Sequence, residues 1–317
     1  MMHGRLTLGF NSVLLLLLSV IPFYSQWQGE PFVLTFATRV LILALAALSL
    51  NLILGFAGLV SFGHALYLGL GAYCVALLAH HEITNGWLQL LMTVVVCAGV
   101  GAITGLISLR TSGIAFIMIT LAFAQMFFYL IVSLKQYGGD DGLSILSRSD
   151  FGLFDLRSPI TLYYGAFALV LGMLWWVKHM VDAPFGVVLR GCRMNERRMQ
   201  ALGFKTLRYK LVAYVASCVV CGLAGFLYAN LTSYASPAYL AWTLSGELIV
   251  MVVLGGMGTV VGPLVGTLAL LGCEELLKSW TDHWAIPLGA LIIWVVLTAG
   301  RGLYGYVLAW DARRSGT

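Results

Sequence analysis

Runs of about twenty apolar residues, separated by short polar segments, fill most of the chain and constrain its fold most strongly. Hydrophobic residues make up 60% of its 317 residues and charged residues only 10%. Soluble domains hold about 45–50% and about 25%, so this chain has too few polar residues to cover a globule in water. The runs are continuously apolar rather than alternating, which excludes a barrel. The sequence therefore predicts an all-α, polytopic membrane protein.

The number of spans follows from the length of the apolar runs, because a helix needs about 20 residues to cross a bilayer. We predict eight full spans, at residues 6–24, 32–54, 59–79, 87–109, 113–134, 160–177, 211–233 and 284–300. A further apolar stretch, 247–273, is interrupted by the glycine-rich segment 254–263. We therefore expect 8–10 transmembrane helices in a single transmembrane domain over residues 1–317.

The distribution of Lys and Arg predicts the orientation in the membrane, since basic residues favour the cytoplasmic side. Segment 178–210 holds eight of the eighteen basic residues, whereas segment 135–158 carries four aspartates. We therefore place 178–210 and both termini in the cytoplasm and 135–158 outside. This orientation is consistent only if 247–273 enters the membrane and returns, so we predict a broken or re-entrant element there.

Two glycine-punctuated stretches resemble each other although they lie two hundred residues apart: 54–60 (LGFAGLV) and 254–260 (LGGMGTV). Paired interruptions in the two halves of a transporter indicate a pathway, because unwound backbone supplies polar groups near the middle of the membrane. The alternative is close helix packing through small residues. The residues that we predict to belong to a pathway are Asn51, Gly55, Gly58, Ser61, His64, Glu247, Gly255, Gly256 and Gly258.

For three polar residues within the predicted spans, the sequence leaves two explanations open. Arg39 lies seven residues into its span and either snorkels outward or serves the pathway. His64 is either a packed, hydrogen-bonded residue or a proton relay. Glu247 begins the interrupted stretch and either sits at its mouth or belongs to the pathway.

The basic segment contains a short predicted helix. Asn195 is a suitable N-cap, Glu196 suits the positive N-terminal end of the helix, and Gly203 suits its C-terminal end. Over residues 196–202 this helix would place Met199 and Leu202 on one face. Such an apolar ridge fits either a groove on a partner protein or a lipid surface.

Several motifs resemble the LivM-type permease of branched-chain amino acid ABC importers. They are 195–203 (NERRMQALG), 208–214 (RYKLVAY), 222–228 (GLAGFLY), 49–64 (SLNLILGFAGLVSFGH), 120–125 (TLAFAQ), 138–142 (GGDDG), 245–247 (SGE) and 255–258 (GGMG). The resemblance implies that 178–210 is a coupling loop that docks into an ATP-binding subunit. The residues it assigns to coupling are Asn195, Glu196, Arg197, Met199, Ala201, Leu202 and Gly203. Met199 departs from the family pattern, where a smaller residue is expected.

The resemblance also implies partners: two ATP-binding subunits, a second related permease and a periplasmic substrate-binding protein, in a bacterial inner membrane. The chain itself has no Gly-x-x-x-x-Gly-Lys-Ser/Thr phosphate loop, and none of its five lysines follows a glycine. We therefore expect no cofactor in this chain, with ATP and Mg²⁺ bound by the partner subunits. Branched-chain amino acids are the family's usual substrates, but relatives import urea, short amides or other amino acids.

Other functional classes have little support in the sequence. The modest net charge of +5 does not indicate nucleic-acid binding. The six cysteines lack the pattern of a disulfide framework or a metal site. No arrangement of acids, or of serine and histidine, indicates a catalytic site, so we predict a transporter subunit and not an enzyme. The competing class is a self-contained channel or ion-coupled carrier.

Overall fold

The computed structural model describes residues 5–152, 156, 158–298 and 302–314, and these residues are mainly helical. The α-helices in the described part are α1 (Arg5–Gln28), α2 (Pro31–Asn51), α3 (His64–His80), α4 (Gly86–Ser108), α5 (Ile114–Ser133), α6 (Pro159–Asp182), α7 (Pro184–Ala201), α8 (Thr206–Thr232), α9 (Trp242–Gly255), α10 (Gly262–Trp280), α11 (Ala285–Thr298) and α12 (Gly302–Arg314). A π-helix, Leu52–Phe56, continues α2. Short 3₁₀ turns lie at Lys135–Tyr137 and Pro237–Leu240, and two two-residue strands pair with each other.

Most of the predicted spans correspond to helices that could cross a membrane. By length and composition, six helical segments qualify: Gly9–Gln28, Pro31–Phe56, Gly86–Ser108, Ile114–Ser133, Pro159–Asp182 and Thr206–Thr232. Three shorter apolar helices accompany them: His64–His80, Trp242–Gly255 and Ala285–Val295. The predicted span 284–300 corresponds to α11, and its last two residues lie outside the described part. The prediction of an all-α polytopic membrane protein is therefore confirmed.

The predicted span 59–79 is wrong at its start. The helix begins at His64 and has 17 residues, because residues 57–63 form a non-helical turn. Gly58 lies in this turn with φ +72°, a backbone conformation that side chains other than glycine rarely adopt. The glycine-punctuated stretch therefore separates the helix that ends at Phe56 from α3.

The predicted interruption in 247–273 is present as a turn between two antiparallel helices. α9 ends at Gly255, residues 256–261 are non-helical, and α10 begins at Gly262. A methyl group placed on Gly266 would lie 2.6 Å from the Gly255 nitrogen, so the two helices touch next to the turn. The chain therefore reverses direction here, as the predicted interruption requires. α9 starts at Trp242, so Glu247 lies within a helix and does not begin the interrupted element.

α2 forms the centre of the bundle, with every residue from Val40 to Asn51 buried. It packs against α6, α8, α9 and α10. The peripheral helices α1, α4, α5 and α11 leave large apolar side chains exposed, among them Leu16, Ile114 and Leu297. Outward-facing apolar side chains around a buried central helix suit an environment of lipid.

The bundle has two distinct ends. At one end, β1 (Leu143–Ser144) pairs antiparallel with β2 (Tyr234–Ala235), which ties segment 135–158 to the residues that follow α8. The backbone of Ser149 also donates to Asn230 at the end of α8, over 3.0 Å. The opposite end carries α7, the turn after Phe56 and the turn between α9 and α10. We call these the ribbon end and the α7 end.

The predicted loop 178–210 is mostly helical. α6 continues to Asp182, α8 begins at Thr206, and α7 fills the space between them. Pro184 is the first residue of α7. A backbone N–H at this position would have no partner within the helix, so proline loses nothing by lacking one, and its fixed φ suits the start of a helix. The connecting element at this end is therefore a structured helix rather than a long loop.

Candidate coupling and pathway site

The two glycine-punctuated turns contact each other at the α7 end, and Asn51 joins them. Its side-chain nitrogen donates to the Thr259 carbonyl over 2.8 Å, and its side-chain oxygen accepts from the Gly258 backbone nitrogen over 3.0 Å. Asn51 is only 1% exposed. One buried carboxamide therefore satisfies a donor and an acceptor of the second turn, which no helix would otherwise satisfy. We call residues 51–58 and 255–262 together the glycine junction.

Glycine is required where the two segments of the junction cross. A methyl group on Gly55 would lie 2.5 Å from the Gly258 nitrogen and 2.9 Å from its α-carbon. Gly258 itself has φ +76°. Any side chain at Gly55 would force the two backbones apart. The two similar glycine-punctuated stretches, 54–60 and 254–260, are therefore in direct contact.

The first segment of the junction includes the π-helix Leu52–Phe56. Single π-helical turns inside α-helices are uncommon and occur often at functional sites. The Leu59 nitrogen donates to the Ile53 carbonyl over 2.9 Å, which closes the turn after the helix. The junction therefore lies at the C-terminal end of this helix, on the side of the bundle where α7 packs.

Arg193 of α7 contacts both parts of the junction. Its Nη1 donates to the Gly55 carbonyl, and a methyl group on Gly58 would lie 2.8 Å from its Cγ. A methyl group on Gly258 would lie 3.3 Å from the same Nη1. Sequence reasoning missed Arg193, because nothing distinguishes it from the other basic residues of 178–210.

α12 contacts the junction from another side. Gly302, its first residue, has φ +71°, and a methyl group placed there would lie 2.8 Å from the Gly255 carbonyl carbon. Gly256, which the sequence assigned to the pathway, lies in the same contact, and its carbonyl accepts from the Thr259 hydroxyl over 2.8 Å. Three of the predicted glycines, Gly255, Gly256 and Gly258, therefore lie together.

Ser61 and His64 lie next to the junction and are fully buried. His64 Nε2 is 2.8 Å from the Ser49 hydroxyl and 3.4 Å from that of Ser217. The Ser61 hydroxyl accepts from the Gly63 nitrogen over 3.3 Å. These contacts match the interpretation of His64 as a packed, hydrogen-bonded residue that joins α2, α3 and α8.

Glu247 is not brought to the junction. It lies eight residues before Gly255 on α9, or about 12 Å along the helix at 1.5 Å per residue. Its side chain is exposed on the surface of the chain. A pathway that included both Glu247 and the junction would therefore have to run along the length of α9.

The second half of α7 forms a separate short helix. Asn195 departs from helical geometry with φ −160° and ψ 99°, and its side chain accepts from the Arg198 nitrogen over 3.0 Å. Gly203 has φ +88°, and the Phe204 nitrogen donates to the Met199 carbonyl over 3.2 Å. Both predicted caps are therefore present. We call residues 195–203 the coupling segment.

The predicted pairing of Met199 with Leu202 on an exposed ridge is wrong. Met199 is half-buried because it folds back onto Gly191, where a methyl group would lie 2.7 Å from the Met199 sulfur. The kink at Asn195 permits this contact. Leu202 is 67% exposed and Met194 is 88% exposed. Around the second half of α7, the strongly exposed large apolar side chains are therefore Met194 and Leu202, with Ala201 and Arg197 exposed beside them; Val187 is exposed on the first half.

Two polar contacts fix α7 to its neighbouring helices. Glu196 forms an ion pair of 2.6 Å with Lys210 on α8, and the Lys210 side chain is only 8% exposed. Arg190 donates to the Val181 carbonyl at the end of α6 over 2.9 Å. Cys192 lies between Arg190 and Glu196 in the sequence. Burial raises the pKa of its thiol, so the thiol stays protonated at neutral pH. α7 is therefore connected to α6, α8 and the junction.

The N-cap gives a modest prediction. Replacing Asn195 with alanine should destabilise helix 196–201 by about 1 kcal/mol, because one N–H of its first turn loses its partner. We expect amide exchange in the coupling segment to become roughly fivefold faster, measured by hydrogen–deuterium exchange. Asn195→Ser should behave as the native protein, since serine caps as well as asparagine. Unchanged exchange in Asn195→Ala would contradict the capping role.

A helical bundle with several candidate membrane spans, in which two glycine-rich turns between helices meet beside a basic connecting helix, fits a membrane transport protein. Over residues 32–309 the chain matches the family described as "Branched-chain amino acid transport system / permease component", and it belongs to this family. The resemblance found in its motifs is thereby confirmed. No solved structure matches the chain.

Individual relatives agree with this assignment. The chain is 28% identical over 291 residues to the high-affinity branched-chain amino acid transport system permease protein LivM of Salmonella typhimurium, covering 84% of this chain and 68% of that protein. It is 22% identical over 284 residues to LivH of Escherichia coli, covering 83% and 91%. It is 25% identical over 285 residues to a probable LivM of Methanocaldococcus jannaschii, covering 77% and 81%.

Proposed function

We propose that the chain is one of two permease subunits of an ATP-driven importer and forms half of its translocation pathway. Its substrates are branched-chain amino acids: leucine, isoleucine and valine. The observation that carries this proposal is the direct contact of Arg193, next to the coupling segment, with the glycine junction, where the interrupted helices meet. A cytoplasmic motor that moved the coupling segment would act on the junction through one side chain.

The proposed orientation places the α7 end in the cytoplasm and the ribbon end in the periplasm of a bacterial inner membrane. The basic residues of α7 and of the turn after it, which lie at one end, support this orientation. The acidic residues Asp140, Asp141 and Asp150 lie at the other end, in the segment that the ribbon fixes. Both termini are then cytoplasmic.

The energy for transport comes from two ATP-binding subunits, which bind ATP and Mg²⁺. The absence of a phosphate loop from the sequence supports this division of labour. Leu202 and Met194 offer the apolar surface for a groove on these subunits, and Asn195, Glu196, Arg197, Met199, Ala201 and Gly203 shape it. The ion pair between Glu196 and Lys210 then carries movement into α8, which packs on α3.

The remaining partners follow from the family and from the relatives. LivM and LivH are each named as permeases of a branched-chain amino acid system, and similarity to both supports pairing with a second, related permease. A periplasmic binding protein delivers the substrate. The pathway itself lies between the two permeases and includes Asn51, Gly55, Gly58, Ser61, His64, Glu247, Gly255, Gly256 and Gly258.

Reconstitution tests both the class and the substrate. In liposomes, the complex of this chain with its paired permease and ATP-binding subunits should accumulate radiolabelled leucine only when ATP and the cognate binding protein are both present. We expect uptake at least tenfold above that of the same complex without ATP. Replacing leucine with urea, a short amide or another amino acid identifies the substrate class.

The competing class predicts a different result in a simpler experiment. A self-contained channel or ion-coupled carrier would move leucine when this chain alone is placed in liposomes, with or without an ion gradient. Our proposal requires the isolated chain to be inert. Leucine flux through the isolated chain that matches the complete complex would contradict the proposed function.

A further inference from the structure

We propose that Arg193 is the positioning residue that transmits movement of the coupling segment to the glycine junction. Its contact with Gly55 and Gly58 is made in the nucleotide-free state and broken when the ATP-binding subunits close. This inference rests on the proposed function, because it assigns the link between the motor and the pathway to one side chain.

The position of Arg193 on α7 suits such a link. It lies two residues before Asn195, where the backbone leaves helical geometry, and therefore at the boundary between the two halves of the helix. Arg190 fixes the first half to the end of α6. Glu196 fixes the second half to α8 through Lys210. A shift of the second half of α7 relative to the first would change the backbone at the kink and would therefore displace the nearby side chain of Arg193.

The chemistry of the contact favours an arginine. Gly55 lies in the last turn of the π-helix that ends at Phe56, where carbonyl groups lack intrahelical partners. The negative end of the helix dipole adds to the attraction of a cation. A guanidinium remains charged at every relevant pH and presents several donors in one plane. Arg193 can therefore bind the Gly55 carbonyl while its aliphatic portion packs on Gly58.

Arg193 contacts both segments of the glycine junction, so its displacement would affect both. The guanidinium lies against Gly258 as well as Gly55, and Asn51 bonds these same two segments together. Gly302 of α12 closes on Gly255 from another side. Withdrawing Arg193 would remove a long side chain of α7 that contacts both turns, while the hydrogen bonds of Asn51 to the second turn would remain.

The first test measures uptake and ATP hydrolysis together in the complete transporter with its binding protein. Arg193→Ala should lower leucine uptake at least tenfold, whereas ATP hydrolysis stays within twofold of the native rate. Arg193→Lys should restore part of the uptake, because an ammonium keeps the charge but lacks the planar set of donors. Arg110→Ala, an exposed change in the turn between α4 and α5 and outside 178–210, is the matched control and should leave both rates unchanged.

The second test follows the contact itself and does not depend on the activity of the variant. The β-carbon of a residue placed at Gly58 would lie 3.5 Å from that of Arg193, which fits a disulfide. We would therefore introduce Gly58→Cys with Arg193→Cys, in a Cys192→Ser background because Cys192 is adjacent. With copper–phenanthroline and oxygen as the oxidant, disulfide formation should be efficient without nucleotide and should fall at least fivefold when ATP and vanadate trap the closed ATP-binding subunits.

The outcomes separate this inference from the proposed function. If the native complex imports no solute with ATP, the proposed function fails, and the inference fails with it. If the native complex imports leucine and Arg193→Ala imports it equally well, only the role of Arg193 is overturned. Equal disulfide formation with and without trapped nucleotide would overturn the change of contact, even if Arg193→Ala were inactive.

Discussion

Replacing Gly55 with alanine should sharply lower transport and destabilise the protein, although it adds only one methyl group. That methyl would lie 2.5 Å from the Gly258 nitrogen and 2.9 Å from its α-carbon, atoms of a backbone that cannot rotate away. Overpacking of this kind costs about 1–3 kcal/mol. We expect a lower melting temperature in detergent and leucine uptake reduced at least tenfold. The two segments of the junction would move apart, and Asn51 could no longer bond to Gly258 and Thr259.

A matched control separates this effect from the general consequences of replacing glycine. Gly246 on α9 has no atom within 4 Å of the position a methyl would occupy. Gly246→Ala should be neutral or should stabilise the helix by about 0.5–1 kcal/mol, since alanine is the better helix former. Equal melting temperatures and equal uptake for the two variants would contradict the close contact at Gly55.

Replacing Gly203 with valine should uncouple ATP hydrolysis from uptake. Gly203 adopts φ +88° where the coupling segment turns toward α8, and a β-branched residue is strongly strained there. The strain of about 1–2 kcal/mol or more would reorient Leu202, the exposed apolar residue before it. We expect uptake to fall at least tenfold while hydrolysis continues, measured in the same proteoliposomes.

The control for this variant keeps the backbone geometry and changes only the side chain. Asparagine tolerates positive φ better than any other residue with a β-carbon, and a side chain at Gly203 would meet no atom within 4 Å. Gly203→Asn should therefore retain most of the uptake. Transport in Gly203→Val at the rate of the asparagine variant would show that the turn does not control coupling.

Much of the fold could be predicted because hydrophobicity in lipid is a strong signal. The length of the apolar runs located six helices that could cross a membrane, and the excess of Lys and Arg identified the segment around α7. The predicted orientation also required an interruption within 247–273, and a turn separates α9 from α10 there. The start of α3 was misplaced because Val60 and Phe62 are as apolar as a span, while the neighbouring glycines set the turn.

The residues of the site could be predicted from the sequence only where their role depends on the local backbone. Asn195 and Gly203 were identified as helix caps, since capping depends on neighbours a few residues away. Contacts between distant segments carry no such signal. Nothing local indicates that Met199 folds onto Gly191 or that Arg193 binds Gly55. The first contact follows from the kink at Asn195, and the second joins residues 138 positions apart.

The separation of the junction's components along the chain has a consequence for biosynthesis. Asn51 and Thr259 are 208 positions apart, and Gly302 follows later still. The ribosome delivers the first glycine turn long before its counterpart, so the nascent polypeptide holds an unpaired Asn51 and an open helix end during most of its insertion. Assembly of this region can therefore finish only after α10 and α12 have been synthesised, which places it among the last events of folding.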